Sequence, residues 1–255
     1  MKNIWLIYRK ELRSYFTSPI AYVIMTLYAV IFGIFFYSAV KYFQQISMQA
    51  QMMGRSFPMN INEMIIRPVL MNTCVIGLFL IPMICMRLFA EEKRSGTIEL
   101  LMTSPVRDIE IILGKWLAAV ALYAITLALS AVNFTFLFTY GKPDWKPILI
   151  GYLGLMLQGC ALLAIGTFFS TLTRNQIIAG VSSFCVFLCL WILGWFTEFD
   201  STPVTKVLGY LSVVTHLEPF TKGLLDVKEV VYFLSAIFLG LFLTARSMES
   251  LRWRA

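Results

Sequence analysis

The sequence predicts an all-α polytopic membrane protein that forms a single transmembrane domain over residues 1–255. Hydrophobic residues make up 59% of the 255 residues and charged residues only 14%, whereas a typical soluble domain is about 45–50% apolar and about 25% charged. The apolar residues fall into six long stretches, and a shorter stretch of mixed aromatic and basic residues precedes the first. We therefore expect six transmembrane helices, an N-terminal amphipathic helix, and a short helix in the charged segment between the second and third spans.

Residues 1–17 are predicted to form the amphipathic helix. Its broad apolar face can comprise Trp5, Leu6, Tyr8, Leu12, Tyr15 and Phe16, while Lys2, Arg9, Lys10 and Arg13 point elsewhere. A basic amphipathic helix of this kind lies in the headgroup region of a bilayer and is attracted to anionic lipid.

The six spans are predicted from runs of about 20 apolar residues, the length that crosses the hydrocarbon core. They lie at about 18–43, 68–89, 109–140, 147–171, 176–197 and 228–247. Ser18 followed by Pro19 is a typical helix start, and Asp226 with Glu229 resembles a capping box that opens the sixth span. The sixth uncharged run is short, so we expect Glu229 and Arg246 to extend to the two membrane surfaces.

The distribution of basic residues predicts the orientation. The segments on the side of both termini hold the larger share of the 21 Lys and Arg residues, and such an excess marks the cytoplasmic side. We therefore expect a multi-pass protein of the cytoplasmic (inner) membrane with both termini in the cytoplasm. Basic residues scattered between apolar runs do not indicate nucleic-acid binding.

The charged segment after the second span predicts a compact helix parallel to the membrane at residues 91–103. A cluster of charges precedes Gly96, and a short apolar stretch follows it. We expect the charges to face the cytoplasm and Ile98, Leu101 and Met102 to anchor the helix. The residues alone fit a docking element and a solvated connector equally well.

Residues 92–105 read EKRSGTIELLMTSP, which resembles the signature of the type-2 exporter permeases of ATP-binding-cassette transporters. The resemblance extends over the whole chain, since that family also has an N-terminal connecting helix and six spans. It implies that residues 91–103 are the coupling helix, which docks in a cleft of a nucleotide-binding subunit. The implied docking residues are Glu91, Glu92, Arg94, Gly96, Thr97, Glu99, Leu100, Leu101 and Pro105. The implied connecting-helix residues are Arg9, Lys10, Glu11, Arg13, Tyr15 and Phe16.

Residues 215–226 read THLEPFTKGLLD, which resembles permeases linked to gliding motility and to nitrous-oxide-reductase maturation. The resemblance implies that the external region 198–227 forms short re-entrant helices near the exit of a pathway. His216, Glu218 and Pro219 are then the candidate exit-loop residues. From its position, Glu218 can pair with His216 or with Lys222.

The resemblance implies a permease subunit that couples ATP hydrolysis by a separate ATPase subunit to export of a substrate. The expected partners are that cytoplasmic ATPase, which would bind ATP and Mg, a second permease copy or a related permease, and the lipid bilayer. The alternative is a mechanotransmitting subunit that acts on an extracytoplasmic partner protein without substrate passage. This chain is expected to bind no cofactor itself.

The residues argue against an enzyme. No phosphate-binding loop is present, because Gly114-Lys115 lacks the upstream glycine that the motif requires. His216 is the only histidine, and the five cysteines lie in apolar runs typical of helix packing. We therefore expect no catalytic residue and no metal site. The polar residues inside the spans can bind helices together or line a pathway; they are Asn72, Thr73, Thr126, Ser130, Asn133, Gln158, Ser182 and Ser183.

Overall fold

The computed structural model of the protein describes residues 2–53, 60–103, 105–141, 143–199 and 203–252. These residues form helices and connecting turns without a strand, and six helices are long and apolar enough to cross a membrane. The predicted fold class, an all-α polytopic membrane protein, is therefore confirmed.

Eleven α-helices lie in the described part of the chain. The first half contains α1 (Lys2–Thr17), α2 (Pro19–Met52), α3 (Arg67–Cys85), α4 (Ala90–Ser95), α5 (Thr97–Thr103) and α6 (Asp108–Tyr140), with a π-helical turn at Asn62–Ile66 before α3. The second half contains α7 (Trp145–Leu172), α8 (Gln176–Phe199), α9 (Pro203–Tyr210), α10 (Val213–Thr221) and α11 (Val227–Arg252).

Several helices extend past the apolar runs from which they were predicted. Helix α2 continues to Met52, beyond the predicted end at residue 43, and α11 continues to Arg252, beyond residue 247. The extension of α2 is rich in Gln and Met, and that of α11 contains Glu, Ser and Arg. A helix accommodates such residues in the headgroup region once its apolar part has crossed the core. The Ser18 hydroxyl accepts a hydrogen bond from the Ile20 N–H at 3.4 Å and caps α2.

Helices α3 and α7 lie at the centre of the bundle, whereas α2 and α8 are mostly exposed. Helix α11 packs closely along α7 at Gly240. A Cβ atom at that position would lie only 2.7 Å from the carbonyl carbon of Ala164, so the two backbones approach as closely as small residues allow.

Two of the polar side chains inside the spans, Ser130 and Gln158, bond to neighbouring helices, whereas Thr73, Thr126, Ser182 and Ser183 donate to carbonyl groups of their own helices. The Tyr28 hydroxyl donates to Ser130 Oγ at 3.0 Å, and Ser130 Oγ lies 2.6 Å from the Tyr152 hydroxyl. Gln158 Nε2 contacts Cys74 Sγ at 3.1 Å. The cysteines differ in burial: Cys74 and Cys85 are buried, whereas Cys185 and Cys189 are exposed on α8. The expectation that all five pack against other helices is therefore wrong for Cys185 and Cys189.

Candidate functional site

The turn that joins α3 to α4 is held against the end of α7. The Ser170 hydroxyl accepts hydrogen bonds from the N–H groups of Phe89 at 3.0 Å and Ala90 at 3.1 Å. The first N–H groups of a helix have no partner inside it, so Ser170 supplies an acceptor that α4 itself lacks. The start of the charged segment is therefore attached to the bundle.

The single helix expected at residues 91–103 is divided at Gly96. Helix α4 ends at Ser95, Gly96 has φ +74°, and α5 begins at Thr97. Glycine adopts this left-handed conformation at no steric cost and is the residue that most often ends a helix in this way. The prediction of one continuous helix was wrong because Gly96 ends α4 and starts a second helix in a new direction.

Lys115 is the centre of a buried charge cluster. Its Nζ atom donates to Glu92 Oε1 at 2.8 Å, to Glu11 Oε1 at 3.0 Å and to the Leu88 carbonyl at 2.8 Å. Its side chain is only 2% exposed. The cluster therefore joins α1, α6, α4 and the α3–α4 turn through one ammonium group.

Glu91, Glu92 and Lys93 bond to the protein, so the expectation that the charges of the segment face the cytoplasm was wrong for these three, whereas Arg94 and Glu99 are exposed. Arg87 forms two hydrogen bonds with Glu91, at 2.8 and 3.0 Å, and a third with Ser18 Oγ at 3.2 Å. Lys93 donates to the Thr171 carbonyl at the end of α7. These charges turn inward because the bundle offers each of them a partner close to the turn.

The pKa values of two of these groups, Arg87 and Lys93, are shifted. The hydrogen bond to Glu91 raises the pKa of Arg87 above its ordinary value. Burial lowers the pKa of Lys93, and the nearby positive charge of Arg174 lowers it further. Both residues follow Cys85, the last residue of α3, at the end of the bundle.

The opposite face of the segment is open to solvent. Arg94, Gly96, Thr97, Glu99 and Leu100 are exposed or half-buried, and Pro105 further along the chain is exposed. Leu100 presents 73% of its surface. The side chains of Leu101 and Met102 lie outside the described residues, while Ile98 packs against the core.

A groove of about 430 Å³ separates α1 from the charged segment. Its walls include Lys10 and Glu11 on one side and Glu92, Thr97 and Leu100 on the other. The predicted docking residues therefore fall into two groups. Glu91 and Glu92 bond to the bundle, and the residues from Arg94 to Leu100 are available to another molecule.

Helix α1 packs on α6 with one face and exposes the other. Tyr15 is buried, and Phe16 is half-buried. A Cβ atom on Gly114 would lie 2.8 Å from Ile7 Cβ, so α1 lies directly on the start of α6. Trp5 and Leu6 are exposed with Arg9 and Arg13 on the outer surface, as expected of a helix at a membrane surface.

At the other end of the bundle, His216 is buried between α10 and α11. Its Nε2 atom lies 2.8 Å from the Tyr210 carbonyl oxygen, its Nδ1 atom contacts Glu229 Oε2, and its ring stacks on Tyr232 at 3.7 Å between centroids. The prediction that Glu229 extends to the membrane surface was wrong, since its side chain is only 5% exposed. The histidine offers a closer and better-placed partner than the headgroup region.

Glu218 connects α10 to the start of α3. It lies 2.9 Å from Lys222 Nζ and 2.6 Å from Arg67 Nη2. Of the two partners predicted for Glu218, Lys222 is the one that it contacts, whereas His216 contacts Glu229. The hydrogen bond from Lys222, with a further contribution from Arg67, lowers the pKa of the Glu218 carboxyl below its ordinary value. Pro219 lies beside it in α10.

Sequence reasoning missed the partners at both ends of the bundle. It assigned no partner to Lys115 and treated Glu229 only as a residue at a helix start. The sequence did contain a signal, because an isolated charge inside an apolar helix needs an opposite charge nearby.

Within the described residues, no group of three or more His, Cys, Asp or Glu residues could hold a metal ion.

A comparison with protein families finds a match over most of the chain. The model of the family described as "ABC-2 family transporter protein" matches residues 5–219. This range includes α1, the charged segment with its buried cluster, and most of α10. A search of curated protein sequences finds no match.

Proposed function

The chain belongs to the ABC-2 family of transporter proteins, and we propose from this that it is a permease subunit that exports a substrate across the cytoplasmic membrane. Membership makes it a membrane subunit of an ATP-binding-cassette transporter, the partner of a cytoplasmic ATPase. Such subunits are generally non-catalytic. In this proposal the ATPase subunit binds ATP and Mg, and α4 and α5 receive its motion.

The exposed face of α5 is the observation that supports this proposal most directly. Leu100 is largely exposed in a segment whose inner face is bonded to α1, α6 and α7. Leu100 follows two exposed charged residues, Arg94 and Glu99, and we take these residues together as the surface that docks on the ATPase. A displacement of α5 would reach the bundle through Gly96, α4 and the contact of Glu92 with Lys115.

The substrate pathway is proposed to form when two permeases pair. A groove of about 870 Å³ lies between α2 and α6 on the half of the bundle away from the charged segment. Its walls are mostly apolar and aromatic, with Lys41, Gln44 and Asn133 among them. This lining favours a lipidic or amphipathic substrate over an ion. A second copy, or a related permease, would close the groove along the exposed face of α2.

The docking role can be tested by purification of the tagged chain with its ATPase subunit from cells that express the neighbouring genes. We expect Leu100→Glu to lose at least about 10-fold of the retained ATPase, because a charge replaces the apolar contact. Ile177→Glu is the matched control, since Ile177 is equally exposed at the start of α8. Equal retention by both variants would exclude α5 as the docking surface.

Export can be separated from the alternative role in the same preparation. Reconstituted complex should release or flip an amphipathic probe in an ATP-dependent manner. ATP hydrolysis that responds to an extracytoplasmic protein but moves no probe would instead favour the mechanotransmitting role. The relation to the gliding-motility and nitrous-oxide-reductase permeases stays a prediction.

A further inference from the structure

We propose that α1 and α2 form a binding site for one anionic phospholipid, with its phosphate between Arg9 and Arg13 and an acyl chain along α2. This site is more specific than a general attraction of a basic helix to a charged membrane surface. It consists of a cationic groove and an adjoining apolar groove. These match the anionic phosphate and the hydrocarbon chain of a phospholipid.

The cationic part is a groove of about 320 Å³ lined by Arg9, Leu12, Arg13 and Phe16. Arg9 and Arg13 lie one helical turn apart, so their guanidinium groups are neighbours on one face of α1. Among the described residues neither arginine forms an ion pair, whereas Lys10 between them is paired with Glu11 and lies 3.9 Å from Glu92. Two adjacent arginines without a carboxylate partner are suited to a bidentate phosphate contact.

The apolar part is a shallow groove of about 450 Å³ on the surface of α2, lined by Tyr22, Met25, Thr26, Ala29, Val30 and Leu129. From Tyr22 to Val30 it follows about 12 Å of helix, at about 1.5 Å per residue. Small side chains at Thr26 and Ala29 form its floor, and larger ones form its walls. An extended hydrocarbon chain fits such a groove.

An aromatic pair joins the two grooves. The rings of Phe16 and Tyr22 meet edge to face with centroids 6.1 Å apart. Phe16 belongs to the cationic groove and Tyr22 to the apolar one. Aromatic residues concentrate where headgroups meet hydrocarbon, and Pro19 marks the start of the apolar span at the same level. The position of the pair therefore matches the glycerol region of a bound phospholipid.

The charge of the site selects the occupant. A second protein chain could cover the apolar groove alone, but it would need an acidic group at the level of the headgroups to satisfy Arg9 and Arg13. A phospholipid with net negative charge supplies both parts in one molecule and is always present at this surface.

The test uses the full chain purified in an uncharged detergent. Native mass spectrometry and the unfolding temperature would be recorded with phosphatidylglycerol, phosphatidylcholine or glycerol 3-phosphate added. We expect phosphatidylglycerol to bind and to raise the unfolding temperature more than the other two. The double variant Arg9→Gln/Arg13→Gln should lose roughly 30-fold in affinity (about 2 kcal/mol).

Two further variants make the result specific. Lys2→Gln/Arg174→Gln removes the same number of charges outside the site and should bind phosphatidylglycerol as the unaltered chain does. Ala29→Trp fills the apolar groove on an exposed helix surface and should weaken phosphatidylglycerol while leaving glycerol 3-phosphate unchanged.

Three results would overturn the proposal. Equal binding of phosphatidylcholine would show that the arginines do not select the lipid. Glycerol 3-phosphate binding as tightly as phosphatidylglycerol would reduce the site to a phosphate site. Unchanged lipid binding by the Arg9→Gln/Arg13→Gln variant together with loss of the ATPase subunit would assign this surface to protein docking.

Discussion

Lys115 is almost fully enclosed, so its charge depends on protein partners. Its ammonium group has two carboxylate neighbours, Glu11 and Glu92, whose own side chains are 15% and 16% exposed. Removal of one partner from a buried ion pair leaves an uncompensated charge and is strongly destabilising. Lys115 is protected against this outcome because either carboxylate can still neutralise it when the other is lost.

We therefore predict that Glu11→Gln and Glu92→Gln are non-additive. Each single change should lower the free energy of unfolding by about 1 kcal/mol, since the glutamine still accepts a hydrogen bond. The double change should lower it by about 3–5 kcal/mol, because the buried ammonium is then unpaired. Unfolding of purified protein by titration with a denaturing detergent measures all three. Additive effects would contradict the shared role.

His216 and Glu229 form the second buried polar pair. The histidine ring has acceptors at both nitrogen atoms, the Tyr210 carbonyl and the Glu229 carboxylate. The ring of His216 is thereby held between α10 and α11. Lys228 Nζ lies 3.6 Å from the other carboxylate oxygen but is itself mostly exposed.

We predict that His216→Phe lowers the free energy of unfolding by about 3–5 kcal/mol, because Glu229 remains buried without its partner. The phenyl ring preserves the stack on Tyr232, so loss of packing is small. The double variant His216→Phe/Glu229→Leu should recover most of this loss, since an apolar pair replaces the ionic one. Thermal unfolding of the three proteins in detergent gives the comparison. A double variant as unstable as the single would place the cost in packing instead.

Among the helices, the direction of α5 is determined by Gly96. Helix α4 is attached to the bundle through Ser170, Lys115 and Arg87, whereas α5 projects its exposed face away from it. Gly96 has φ +74°, and a Cβ atom added there would lie more than 4 Å from every heavy atom that the structure describes beyond the two neighbouring residues. The only cost of a substitution at this position is therefore the strain of the left-handed backbone conformation. The angle between the two helices is consequently sensitive to this one residue.

We predict that Gly96→Ala weakens ATPase retention several-fold and lowers the free energy of unfolding by about 1–2 kcal/mol. Alanine is disfavoured in the left-handed region, so α5 should rotate toward continuation of α4. Gly96→Asn should retain more of the ATPase than Gly96→Ala, because asparagine tolerates this conformation. Co-purification with the ATPase subunit measures the order of the variants. The reverse order would exclude the backbone explanation.

The bundle as a whole is organised around α7. Helices α3 and α11 pack along it, and its C-terminal end supplies Ser170 and Thr171 to the charged segment. The helices that are least enclosed, α2 and α8, carry many exposed apolar side chains. In a membrane these surfaces can face lipid, and in the proposed pairing α2 also faces a second permease.

We predict that the close contact of α7 with α11 is essential for stability. Gly240→Ala should lower the free energy of unfolding by about 1–3 kcal/mol, because the added Cβ would overlap the backbone of Ala164 and force the helices apart. Gly33→Ala is the matched control, since a Cβ at Gly33 meets nothing within 4 Å. Detergent-induced unfolding of both variants tests the difference. Equal effects would mean that helix propensity, not the helix crossing, explains the result.

Local composition was enough to establish the all-α class and the six spans. Both follow from the sequence because a bilayer of given thickness requires a certain number of consecutive apolar residues. The motif at residues 92–105 likewise pointed to the family, since its residues are adjacent in the chain. The end of α4 at Gly96 also had a local signal, because a glycine that closely follows basic residues such as Lys93 and Arg94 is typical of a helix C-terminus.

Which charges face inward, in contrast, depends on how the helices pack. Glu11, Glu92 and Lys115 are far apart in sequence, and although the apolar surroundings of Lys115 indicate that it needs a partner, they do not indicate which carboxylates supply it. The same holds for His216 and Glu229, and for the two grooves that Phe16 and Tyr22 join. A buried ion pair requires the approach of separate helices, so its partners are chosen by packing and not by local sequence.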